Sequence, residues 1–159
     1  MSLDARITVQ SSVTETPASA LGQGRTQYIV EFAKSLLEGT GRHTIGKYGT
    51  KRVSAATGLT TYDLTAFVAD QGTISFAKIR MLLVVSKTDT SGQDIKVGGN
   101  AAEPAGIFAV IGDEVWVYGG GFAMLYWPDG LTVTDATGDK LDVDAGVDTV
   151  DYDIGIWGE

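Results

Sequence analysis

Cysteine is absent from this chain of 159 residues. Disulfides, thiol nucleophiles and thiolate metal sites are therefore excluded, while the compartment is left open. Histidine occurs once, as His43. Zinc sites built from several histidines and metalloproteases of the H-E-x-x-H type are excluded with it. A Ser-His-Asp triad would have to use His43, and no G-x-S-x-G elbow accompanies it. Proline is scarce, at 3 residues. No apolar run reaches the roughly 18 residues of a membrane-spanning helix. The opening Met1-Ser2-Leu3-Asp4-Ala5-Arg6 lacks the basic-then-apolar layout of a signal peptide, so synthesis in the cytoplasm as a soluble protein is expected.

What is abundant is glycine, at 21 residues, together with alternation of apolar and polar positions. Many glycines with few prolines imply tight turns between short strands. Ala5, Ile7 and Val9 share one face of a first strand. Tyr62, Leu64, Ala66 and Val68 share another, and Ala77, Ile79, Met81, Leu83 and Val85 a third. Ile95 and Val97, Leu131 and Val133, and Leu141 and Val143 repeat the pattern in shorter segments. In the last segment Val150, Tyr152, Ile154 and Ile156 oppose Thr149, Asp151 and Asp153. A period of two with one polar face reads as a half-solvated antiparallel strand. Two segments, 115–118 and 122–127, are apolar on both faces and read as central or interface strands.

Gly119-Gly120-Gly121, Trp127-Pro128-Asp129-Gly130, Thr137-Gly138-Asp139 and Ala145-Gly146 punctuate the strands as turns. Residues 28–37 fit helical spacing through Ile29, Phe32, Ala33, Leu36 and Leu37, and also alternate as Tyr28, Val30, Phe32; strand is the preferred reading because the neighbours are strands. Residues 11–26 lack periodicity and read as a loop or mobile arm. The expected fold is all-β: an antiparallel sandwich, jelly-roll-like, of about ten short strands. Residues 1–24 form an N-terminal strand and flexible arm, and residues 25–159 a single sandwich domain.

The net charge of −8 is uneven. Residues 113–159 carry −10 and residues 1–112 carry +2. An acidic C-terminal third disfavours contact with a phosphate backbone. Gly41 to Tyr48 matches the G-x-x-x-x-G-K of a phosphate-binding loop, but Tyr48 stands where a Mg²⁺-binding Ser or Thr belongs, and the next residues, Thr50-Lys51-Arg52-Val53, are not helix-like. Arg42, Lys47, Lys51 and Arg52 form a basic cluster, too small for nucleic acid and suited either to solvent or to an acidic protein surface. Seven aspartates between Asp135 and Asp153 offer oxygen ligands for Ca²⁺, yet no D-x-D-x-D-G loop is present; Asp151 and Asp153 would repel on one strand face. Trp116, Tyr118, Tyr126 and Trp127 flank one hairpin as core, as interface anchors, or as a platform for sugar rings.

The order of several motifs resembles small tailed-bacteriophage virion proteins of sandwich type. It runs from Leu37-Glu38-Gly39-Thr40-Gly41 through Asp63-Leu64-Thr65-Ala66 and Ile74-Ser75-Phe76-Ala77-Lys78-Ile79-Arg80 to Val97-Gly98-Gly99-Asn100. Gly119-Gly120-Gly121, Asp129-Gly130-Leu131-Thr132-Val133-Thr134, Thr137-Gly138-Asp139 and Val150-Asp151-Tyr152-Asp153-Ile154-Gly155-Ile156 complete it. The strand from Phe122 to Trp127 and the Asp-rich last third depart from the family's pattern. The resemblance implies a non-enzymatic structural protein of the phage head surface: a capsid decoration, or cement, protein. It implies no catalytic residue, cofactor or small-molecule substrate. Its partners would be further copies of itself, as a trimer, and the major capsid protein, with no nucleic acid and no membrane. The expected interface draws on Ala5, Ile7 and Val9 adding a strand to a neighbouring sheet, on the four aromatics, and on the basic cluster. Two alternatives stay open: a tail or head–tail connector of the same fold, and a glycan-binding module using Trp116 or Trp127.

Overall fold

A computed structural model describes residues 4–15, 26–39, 41–108 and 113–159. Its thirteen strands are β1 (Asp4–Glu15), β2 (Thr26–Glu38), β3 (Thr44–Ile45), β4 (Lys47–Ala56), β5 (Leu59–Asp63), β6 (Phe67–Ala69), β7 (Gly72–Ile74), β8 (Lys78–Ser86), β9 (Ile95–Gly98), β10 (Glu114–Val117), β11 (Phe122–Thr132), β12 (Lys140–Asp144) and β13 (Val150–Gly158). The described residues contain no helix, so the all-β expectation holds, and residues 28–37 resolve to strand.

Two four-stranded sheets form the body. Sheet I has the order β11-β8-β13-β4, and sheet II the order β10-β9-β12-β5. Every neighbouring pair in both is antiparallel. Numbered along the chain as first to eighth, these strands give first-eighth-third-sixth in sheet I and second-seventh-fourth-fifth in sheet II. Such interleaving is the winding of an eight-stranded jelly roll. β6 and β7 form a separate small hairpin beside β4.

The inward positions of both sheets make one core. Tyr62 and Leu141, Val143, Ile95 and Val97 of sheet II meet Ile79, Leu82, Val84, Tyr152, Ile154 and Ile156 of sheet I. Each fully buried aliphatic contributes about 1.5–3 kcal/mol relative to exposure. The two sheets are also bridged by a buried hydrogen bond between the hydroxyls of Tyr62 and Tyr152, 2.6 Å apart. Burial pushes both phenols above their ordinary range, so each stays neutral and able to donate or accept. The outer edge of β4 is covered: Asp70 N donates to Thr50 O at 2.8 Å, and Asp70 Oδ2 accepts from Arg52 N at 3.0 Å. A paired edge of this kind blocks uncontrolled strand addition.

Local chemistry overrides strict alternation in three places. After β5, Asp63 Oδ1 accepts from Thr65 N at 2.9 Å and from Thr65 Oγ1 at 2.6 Å. This side-chain turn shifts the phase, so Phe67 and Ala69 are buried while Val68 faces outward. In β8 the register slips across Arg80, since Trp157 pairs with Met81 and Gly158 with Ile79. The bulge sends Ile79, Leu82 and Val84 inward, and Met81 into a different cluster, so the single expected face of five residues is split. The guanidinium left in the bulge is buried, donating to Pro128 O and to Glu159 Oε1. Residues 127–130 are not a turn between strands but a bulge inside β11, which stays paired to β8 on both sides. There the Pro128 carbonyl accepts from both Arg80 and His43 N.

Candidate functional site

β1 and β2 stand outside the jelly roll. They pair antiparallel from Asp4 opposite Leu37 to Glu15 opposite Thr26. Residues 11–15, expected to be loop, are strand, because β2 supplies a partner along their whole length. Residues 16–25, the rest of the expected mobile arm, lie outside the described residues. At about 3.4 Å per residue the twelve paired positions span roughly 40 Å. The register sets Ala5, Ile7, Val9, Ser11 and Val13 opposite Leu36, Lys34, Phe32, Val30 and Tyr28. One parity of the ladder thus carries mostly apolar types, Ser11 and Lys34 excepted, and the other, with Arg6, Thr8, Gln10 and Ser12 opposite Ser35, Ala33, Glu31 and Ile29, carries mostly polar ones, Ala33, Ile29 and Leu37 excepted. The ribbon is amphipathic by sequence and register.

Only its root is packed among the described residues. Ile7 and Leu36 are buried with Ile45 of β3 against Met81, Met124, Tyr126 and Trp157 of sheet I. Val9, two residues further out on the same parity, is 38% exposed. Thr8, Gln10, Ser11, Ala33 and Ser35 are exposed as well. The side chain of Ala5 lies outside those described.

The surface that receives the root is the outer face of sheet I. Beyond Trp157 it continues as a trough of about 450 Å³ lined by Thr50, Arg52, Asp70, Leu83, Val85, Asp153 and Gly155, among others. Leu83 and Val85, half-buried, supply its apolar floor. Gly155 is needed here for space: a Cβ on it would come within 2.5 Å of the Trp157 ring, so glycine lets the indole lie flat on the sheet. At the far rim Arg52 grips Asp153 with both arms of its fork, at 2.8 and 3.0 Å, and Lys87 approaches the same carboxylate at 3.7 Å. The hydrogen bonds from Arg52 hold the Asp153 carboxyl below its usual range. Arg52 is two-thirds exposed, so the pair adds little stability.

The aromatics expected to act together are separated. Trp116 and Tyr118 are exposed, at 49% and 66%, at the edge of sheet II; Lys96 Nζ sits 4.8 Å from the Trp116 ring centroid. Trp127 packs against the main core and Tyr126 against the arm's root. Both doubly apolar segments are edge strands, β10 and β11, not central ones. The basic residues are dispersed too. Arg42 pairs with Asp129 at 2.9 Å, Lys47 donates to Ser75 O at 2.8 Å, Lys51 donates to Val68 O at 3.1 Å, and Arg52 holds Asp153. Gly41 to Tyr48 opens into strands β3 and β4, and His43 is hydrogen-bonded to the Tyr126 hydroxyl. Asp151 does not crowd Asp153: it accepts from Ala55 N at 2.6 Å, capping a bulge where Ala55 has φ 53°.

Sequence reasoning missed the floor residues Leu83 and Val85 as surface, and Phe122, which is 64% exposed beside them in register. Their signal was hidden by the Arg80 bulge, which reverses which half of β8 faces out. A second trough of about 450 Å³ is lined by Glu103, Leu131, Thr134, Thr137 and Gly138, among others. Burial pushes the Glu103 carboxyl up, against a hydrogen bond donated to it by Asn100 N.

No family model matches the chain, and no curated protein matches it. A solved structure of Bacillus endospore appendages, described as a novel family of disulfide-linked pili, aligns at 12% identity with a TM-score of 0.30. The alignment covers 72% of this chain and 92% of that one. A likeness of this size carries no argument.

Proposed function

We propose that this protein is a non-enzymatic structural subunit that assembles through its surface, and that it serves as a decoration protein on a bacteriophage capsid. The observation that supports assembly is the arm: a ribbon roughly 40 Å long, mostly apolar on one parity, with Ile7 and Leu36 buried at the root and Val9, the next apolar side chain described on that parity, 38% exposed. A two-stranded ribbon is marginal on its own in water, so a protein that keeps one extended has use for a second surface to lay it on. The virion assignment rests on the order of motifs along the chain and on the jelly-roll winding, an architecture common in capsid proteins.

The test is light scattering on the eluting protein, then mixing with empty capsids. A defined oligomer that binds capsids is expected. A monomer at every concentration that leaves capsids bare overturns the proposal.

A further inference from the structure

The self-assembly reading leaves open where the arm goes, and the outer face of sheet I answers it. We propose that the arm of one copy lies along the open trough of sheet I in a second copy, with Val9 seated on Leu83 and Val85. This inference rests on the assembly reading and adds the docking surface to it.

Three observations on the molecule converge. First, this sheet face already accepts this ribbon: Ile7 and Leu36 are buried against Met81, Met124, Tyr126 and Trp157 of the same chain. Trp157 belongs both to that contact and to the wall of the trough, so the trough continues an interface that exists. Second, the same-parity residue after Ile7 is incompletely covered by its own chain: Val9 is 38% exposed. Third, the trough offers matching chemistry. Its floor is aliphatic and indole, Asp153 at the rim is paired with Arg52 and Lys87, and Lys51 and Asp70 already engage Val68 O and Arg52 N. Val9 entering there exchanges water for apolar surface. Arm and trough are different patches of one surface, so the contact closes either by reciprocal exchange in a dimer or by rotation in a larger ring, each copy giving one arm and receiving one.

The absence of cysteine makes the test clean. Chains carrying Val9→Cys and chains carrying Val85→Cys are mixed and treated with a short bis-maleimide. A mixed dimer, well above the yield from either variant alone, is the expected product. Val9→Asp, at an exposed position, is expected to weaken self-association at least tenfold, with an unchanged circular dichroism spectrum and melting temperature. If the chain with both cysteines cross-links within itself and stays monomeric, the arm folds back on its own sheet and the inference is overturned. If light scattering shows an oligomer but mixed dimers do not form, assembly stands and this docking surface is wrong. If the protein is monomeric and no mixed dimers form, both are wrong. Capture of Val9→Cys chains by capsid protein, without mixed dimers, also overturns the inference.

Discussion

In the jelly roll, the inward faces of the two sheets bury each other; in the arm, Ile7 and Leu36 are buried at the root, while Val9, next on the same parity, is 38% exposed. Both regions use the same alternation of residue types, and both satisfy their backbone groups by antiparallel pairing. The difference lies in what covers them. The body is self-sufficient because its two sheets bury each other. Among the described residues the arm is held to the body chiefly by Ile7 and Leu36 and by the pairing of Leu37 and Glu38 with β3. On the proposed reading, stability belongs to the body and adhesion to the arm.

Four perturbations probe that contrast. The largest effect is expected from Ile154→Ala, which opens a hole between the sheets. A loss of about 2–5 kcal/mol is expected by chemical denaturation. If the body tolerates it without loss, the core is not where the stability resides. Glu159→Gln comes next. It leaves the buried Arg80 guanidinium, whose Nε already lacks a partner, without its counter-charge. About 2–3 kcal/mol should be lost in the same assay, because an uncompensated buried charge is costly. Leu36→Ala should act locally. Amide exchange in β1 and β2 is expected to rise at least tenfold, while amides of β8 and β13 keep their protection. Uniform loss of protection would mean that arm and body are one cooperative unit.

The smallest effect is electrostatic. The Asp63 carboxylate accepts from Lys140 at 2.8 Å and from Thr65, and these bonds lower its pKa to about 2. Asp153 is lowered by Arg52 in the same direction. A carboxyl with a depressed folded-state value stabilises the fold above its unfolded value, near 4, and that contribution fades as pH falls toward 2. Glu103, pushed up, works the other way, favouring the fold when protonated. Because Asp63 is well exposed, the net change from pH 5 to pH 2 at this site should stay within about 1 kcal/mol. Comparing wild type with Asp63→Asn by thermal melts at both pH values measures it.

Much of the body was legible in the sequence. The last strand shows its two faces without interruption from Val150 to Ile156, and the fold buries the apolar one. Where the expectation failed, a single side chain intervened: Asp63 turned the chain after β5, and Arg80 bulged β8. Alternation carries no information about such events, because a carboxylate in a turn or a guanidinium seeking a carbonyl acts on the backbone, not on the hydrophobic period. The arm was half legible. Ala5, Ile7 and Val9 announced a strand, but its partner, β2, could be identified only from the register, and the polar stretch 11–15 gave no sign of pairing. The trough was not legible at all. It depends on Gly155 and Trp157 being neighbours in space with Leu83, and on the bulge that turns Leu83 outward.

β13 is the strand between β4 and β8, and Arg52 of β4 lies 101 residues from its partner Asp153 along the chain. β4 therefore leaves the ribosome long before its only sheet neighbour exists. The arm, a local hairpin, needs no such wait. During synthesis the arm is expected to form first and sheet I last, with completion slow in the manner of folds dominated by distant contacts. A nascent chain stalled before Val150 should show a paired ribbon in hydrogen exchange and an unprotected β4.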